Sequence, residues 1–197
     1  MGKDNKWSID QAHSEIGFKV RHLMISHVKG AFKTFDASIH TEGADFSTAD
    51  IDLWIDADSV STGDKDRDNH LKADEFFDIE HHHQITFQSH TIGKADKDGN
   101  HTLWGDLTIK ATTKRISLNV HFGGLIVDPW GNERAGFTIT GMINRKDWGL
   151  EWNHIIAAGG WMVDEEVYIF CEMELTNMGA KVLHMDLLPE LDQIGDQ

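Results

Sequence analysis

Cysteine is almost missing: Cys171 is the only one in 197 residues. No internal disulfide can staple this fold, so it must be held by the apolar surface it buries. The lone thiol sits in the apolar run Val167-Tyr-Ile-Phe-Cys-Glu-Met and reads as a small buried hydrophobe rather than a reactive group. Proline is nearly as scarce, with Pro129 and Pro189 alone, which leaves few strands barred from a continuous ladder. Basic residues are few, 18 Lys+Arg against 33 Asp+Glu for a net charge of −15. That field repels phosphate backbones and anionic lipid surfaces, so nucleic-acid binding is not expected. No run reaches transmembrane length and no apolar segment of signal length opens the chain, so a cytoplasmic protein is expected, or a periplasmic one if a signal has been removed. There is no Gly-x-Ser-x-Gly elbow, no P-loop and no Gly-x-Gly-x-x-Gly. The remaining composition, 40% hydrophobic and 26% charged, is that of an ordinary globular chain and excludes a disordered polymer.

What is present has a period of two. Ile16, Phe18 and Val20 alternate with Gly17, Lys19 and Arg21; Ile51, Leu53 and Ile55 alternate with Asp52, Trp54 and Asp56. The same alternation runs through Ile85/Phe87, Leu107/Ile109, Ile116/Leu118/Val120/Phe122, Phe137/Ile139 and Val167/Ile169/Cys171/Met173/Leu175. One apolar face opposite a polar one is the pattern of an antiparallel strand with a wet side. Phe32 and Phe35 fall on opposite parities, which a bulge or strong bend would reconcile. Turn chemistry separates the runs at Glu42-Gly-Ala-Asp, Lys97-Asp-Gly-Asn, Asp128-Pro-Trp-Gly-Asn and Arg145-Lys-Asp-Trp-Gly. About eight strands in one domain are predicted. Their meander spacing favours closure into a barrel, which removes exposed edges.

Two segments break the pattern. Residues 58–78 lack the period of two and carry good cap residues, which predicts one or two short helices followed by the turn Asp74-Glu-Phe-Phe-Asp. Such an insert could cover one mouth of a barrel. Residues 178–197 place Leu183, Leu187, Leu188, Leu191 and Ile194 at helical spacing, interrupted by Pro189. A short helix docked on the barrel or on a sister subunit is expected there, and the acidic tail has the wrong sign for a membrane anchor. A homodimer is compatible with this surface.

Thirteen histidines raise the question of a metal, above all Glu80-His81-His82-His83. Consecutive histidines on an extended chain alternate faces, so at most two would converge readily, and no second cluster has ligand spacing. His13, His70 and His154 join only if the fold brings them close. A solvated loop is the expected role, without a native metal. Seven tryptophans against one tyrosine are read as core plugs and barrel-end seals, with Trp54 mid-strand and the other six at strand ends or turns.

The motifs resemble those of the YceI-like family of lipocalin-like lipid- or polyisoprenoid-binding proteins. They are the opening Trp7-Ser-Ile-Asp-Gln-Ala-His-Ser, Arg67-Asp-Asn-His-Leu with Asp74-Glu-Phe-Phe-Asp, Gly105-Asp-Leu-Thr-Ile-Lys-Ala-Thr-Thr-Lys, Gly131-Asn-Glu-Arg-Ala-Gly-Phe and Ile143-Asn-Arg-Lys-Asp-Trp-Gly. All five stand in the family's order, over about residues 6–176. The chain departs from the pattern at His81-His82-His83-Gln84, where a proline or mixed polar turn is usual, and at Ala111, where glycine is common. The resemblance implies an all-β protein: an eight-stranded antiparallel lipocalin-like barrel over residues 1–177, often dimeric, with a helical insert and a long apolar channel. Its ligands would be prenyl chains, isoprenoid quinones or related amphiphiles, held without catalysis and without an obligatory cofactor. Candidate channel-wall residues are Phe18, Val20, Phe35, Ile55, Phe87, Ile109, Phe122, Phe137 and Ile139. Two other functions stay open at this point. One is a structural or stress-response module whose barrel is filled by its own side chains; the other is a metal-dependent enzyme using the loop His81–His83.

Overall fold

A computed structural model describes residues 4–156 and 159–181. The strands are β1 (Asp4–Ile9), β2 (Glu15–His22), β3 (Ser26–Phe32), β4 (Phe35–Glu42), β5 (Asp45–Asp56), β6 (Val60–Ser61), β7 (Gln84–Ile92), β8 (Asn100–Ile109), β9 (Thr112–Val127), β10 (Asn132–Asn144) and β11 (Val163–Lys181). Every pairing is antiparallel. The order β1-β4-β5-β7-β8-β9-β10-β11 closes by pairing β1 with β11, an eight-stranded barrel. Its first position is shared by two strands along β11: β1 pairs with Leu175–Asn177 and β2 with the stretch from Val163 to Glu172.

The opposite parities of Phe32 and Phe35 are reconciled by a break at Lys33-Thr34, between β3 and β4, and both rings are buried. The backbone donors freed there are not orphaned. Ser59 Oγ accepts from Lys33 N at 3.1 Å and from Thr34 N at 3.0 Å, as a bend inside a sheet requires.

The insert has one short helix, α1 (Lys65–Lys72), preceded by a 3-10 turn at Ala57–Ser59. Asp64 caps α1 by accepting from Arg67 N at 3.0 Å, and Asp66 and Asp68 lie in its first turn, where the helix dipole favours acids. β11 continues through Lys181, so the tail does not begin at 178: residues 178–181 are strand, with Lys181 opposite Asn132. The helix expected further along falls on 182–197, outside the described residues.

An ion cluster locks the break between β1 and β2. Arg134 on β10 reaches Asp128 Oδ2 through Nε at 2.7 Å, and both Asp10 Oδ2 and Glu174 Oε1 through Nη1 at 2.6 Å. Arg134, ahead of weaker bonds from His13 and Ala12, lowers the Asp10 carboxyl from 3.8 to about 2. A depressed carboxyl stabilises the fold above its unfolded value and loses that contribution as pH falls through the folded one. In the Arg134→Met variant the largest cause of the depression is removed. The stability gap between wild type and variant, measured by urea unfolding, is therefore expected to shrink between pH 6 and pH 2. A gap constant over that window contradicts the assignment.

Candidate functional site

The alternating apolar faces all turn inward, and they enclose a cavity of about 780 Å³, within the usual range for small-molecule sites. A barrel packed solid by its own side chains is therefore not what the chain forms. Two close approaches help to keep the interior open. The Phe18 ring lies against Gly30, where a Cβ would fall 2.4 Å from it, and the Phe87 ring lies against Gly105, where a Cβ would fall 2.3 Å away. Without a side chain beneath them, both rings can lie along the wall instead of across the lumen.

The two ends differ. At the end where β5 and β10 begin, Phe46 meets Trp7, Phe122 and Phe137 with ring centroids 4.8, 5.6 and 4.9 Å apart. β5 and β10 lie on opposite sides of the barrel, so Phe46 spans the interior and seals that end. Trp7 is fully buried behind it and donates from Nε1 to Thr41 Oγ1 at 2.9 Å. At the other end lie the insert, the β2–β3 hairpin and the segment after β10. Trp152 packs there on His70 and Phe76 at 4.6 and 5.5 Å, and Phe77 packs on Phe32 at 5.8 Å. Met24, Ile25, Ile155 and Trp161 are exposed side chains of the hairpin and of that segment.

Eight of the nine sequence-derived candidates line the cavity: Phe18 and Val20 on β2, Ile55 on β5, Phe87 on β7, Ile109 on β8, Phe122 on β9, and Phe137 and Ile139 on β10. Phe35 does not. It opens β4 beside the break, is 3% exposed, and packs within the core cluster away from the lining. Phe46, Leu103, Trp152 and Arg145 also line the cavity and were not among the candidates. Phe46 follows a turn motif, and Arg145 stands in one, where a basic residue reads as solvated.

The tryptophans divide. Trp7 and Trp148 are buried, and Trp148 Nε1 donates to Leu107 O at 3.1 Å. Trp130 is exposed, while Trp104, expected at a strand end or turn, is mid-strand in β8 and faces outward. Cys171 lies on the cavity wall, and burial pushes its thiol up to about 12, which leaves it protonated and unreactive at neutral pH.

His81 pairs with Asp78 at 2.8 Å and is exposed; among the described residues, none of His81, His82 and His83 belongs to a set of three ligand atoms that lie together. His70 and His154 pack on the same Trp152 ring, not on each other. Asp10, His13 and Glu174 are the one set whose ligand atoms fall together among the described residues. Arg134 already bridges its two carboxylates, so the cation's place there is taken by a guanidinium.

A closed antiparallel barrel with a helical insert and an apolar interior defines a lipocalin-like class of protein. The family model for a YceI-like domain matches residues 7–175, and the chain belongs to that family. It is 36% identical over 163 residues to a UPF0312 protein of Staphylococcus epidermidis, covering 82% of this chain and 92% of that one. The crystal structure of the Campylobacter jejuni YceI protein is similar with a TM-score of 0.69 and 33% identity, over 85% of this chain and 95% of that one. A polyisoprenoid binding domain from Saccharophagus degradans shares the fold, with a TM-score of 0.63 and 16% identity over 87% and 98% of the two chains.

Proposed function

We infer that the protein is a carrier or sequestering protein that holds the hydrocarbon chain of an isoprenoid, an isoprenoid quinone or a similar amphiphile inside the barrel, without covalent chemistry. The observation that carries this reading is the cavity itself, continuous, about 780 Å³ and walled by aliphatic and phenylalanine side chains. Such a wall offers a non-directional drive that needs no signature residue. Burying about ten prenyl carbons at about 0.8 kcal/mol each gives an upper bound near 8 kcal/mol, or roughly micromolar affinity before ordering costs. The S. degradans domain that shares this fold is a polyisoprenoid binding domain, which supports the reading.

Retinol, a fluorescent isoprenoid alcohol, tests it. Titrated into the purified protein, it is expected to bind at about one per chain with a Kd in the micromolar range and to be displaced by a non-fluorescent prenol. Fluorescence unchanged by folded protein contradicts the reading.

A further inference from the structure

One buried side-chain nitrogen of a cavity-lining residue has no hydrogen-bond partner among the described residues. Arg145 follows β10 at the insert end and is one of the residues that line the cavity. It is 3% exposed. Its Nε donates to Asp164 O at 2.9 Å and its Nη1 donates to Leu150 O. These two carbonyls hold the guanidinium in place and leave Nη2 buried with no hydrogen-bond partner among the described residues. The charge is unmet as well. No carboxylate pairs with Arg145 among the described residues, and the neighbouring Glu165 is bound to Lys146. Burial pulls the Arg145 guanidinium below its ordinary range, with Glu165 and Asp164 opposing that pull. A buried donor left unsatisfied is costly, and an unpaired buried charge more so.

We propose that Arg145 is the head-group site of the cavity, where Nη2 donates to an oxyanion, phosphate or carboxylate, at the end of a chain whose tail runs toward Phe46 and Phe137. The proposal rests on the carrier reading above and adds the chemistry of the head group to it. An oxyanion fits better than a neutral carbonyl, because a carbonyl would satisfy the hydrogen bond and leave the charge uncompensated. The surroundings agree in polarity. Arg67, His70 and Asp66 are the charged or titratable neighbours that α1 adds to the lining. Arg67 is held by Thr62, its Nε donating to Oγ1 at 2.7 Å and its Nη2 to the carbonyl at 3.1 Å, and His70 is paired with Glu75 at 2.9 Å. At this end of the cavity two arginines therefore stand on the lining with one carboxylate, Asp66, in a chain whose net charge is −15. At the far end the rings of Phe46, Phe122 and Phe137 meet across the barrel, beside Asp45, Ser47 and His101 of the lining. A carboxylate stands there and, among the described residues, no guanidinium, so that end suits a hydrocarbon terminus rather than an oxyanion.

The test compares ligands that share a chain and differ in head group: geranylgeranyl phosphate against geranylgeraniol, and palmitate against hexadecanol, titrated at pH 7 into wild type, Arg145→Gln and Arg67→Gln. In wild type the acidic member of at least one pair is expected to bind about tenfold tighter or better, and the pair with the larger ratio identifies phosphate or carboxylate. In Arg145→Gln the ratio falls to about one; in Arg67→Gln, which removes only a neighbouring charge, it is lowered but stays above one. Equal binding within both wild-type pairs overturns the head-group site and leaves the carrier reading standing. A preference that survives in Arg145→Gln overturns it too. Failure of all four ligands to bind wild type overturns both readings. Should Arg145→Gln not fold, the wild-type ratios and the conservative Arg145→Lys variant decide, with the ratio lowered but above one in the latter.

Discussion

Replacing Ile139 with glutamate weakens retinol uptake by roughly a hundredfold or more. Ile139 lies on β10 opposite Cys171 and Val120, and its side chain is on the cavity wall. A carboxylate there either stays charged against hydrocarbon, at a cost of several kcal/mol, or takes up a proton to avoid it. A chain entering the lumen removes the water that would otherwise solvate the charge, so the penalty falls on binding. The matched control is Ser117→Glu on β9, which points to the outer face between the buried residues Ile116 and Leu118. It adds the same charge and should leave uptake within about twofold, in line with the small effects of surface changes. Full uptake in a folded Ile139→Glu protein contradicts a ligand in this cavity.

Truncating Trp7 to alanine is the largest expected loss of stability. The ring is fully buried, packs on Phe46 at 4.8 Å and donates its indole N–H to Thr41. Removing it deletes a large apolar group, leaves a void and withdraws support from the aromatic seal, for about 3–5 kcal/mol. For a chain of this size that lowers Tm by about 6–20 °C. Thr41 keeps its own bond to Gly43 O at 2.6 Å, so the loss is chiefly one of packing. Trp130→Ala is the contrast: the ring is 81% exposed, and its removal should move stability by about 0.5 kcal/mol at most. Thermal melts of the two variants side by side measure both.

Much of this architecture was legible because the alternation of faces is a property of the strand itself. Ile16, Phe18 and Val20, or Val167, Ile169 and Cys171, turn inward together because neighbouring side chains on a pleated strand point to opposite sides. The mismatch of Phe32 and Phe35 located the break between β3 and β4. It could not say which of the two rings reaches the lumen, and Phe35 does not. A hollow barrel and a filled one share the same inward alphabet. What separates them here is local: Gly30 and Gly105 beneath two phenylalanine rings, and a seal at one end built across the barrel by Phe46. Such contacts join residues distant in sequence, and no periodicity carries them. Arg145 was hidden for another reason. A basic residue in a Gly-terminated turn reads as solvated, and only the fold shows it enclosed, with its bonds taken by the carbonyls of Leu150 and Asp164. The same fold turns His81 back to Asp78 within its own loop, a pairing that no spacing in the sequence announces.

The claim at the centre is that the cavity holds a hydrocarbon chain. Natively purified protein, extracted with organic solvent and examined by mass spectrometry of the extract, tests it most directly. The expected result is a near-stoichiometric amphiphile with a prenyl or comparably long apolar chain. An empty extract from folded, monodisperse protein that also takes up no added prenol or fatty acid would contradict it.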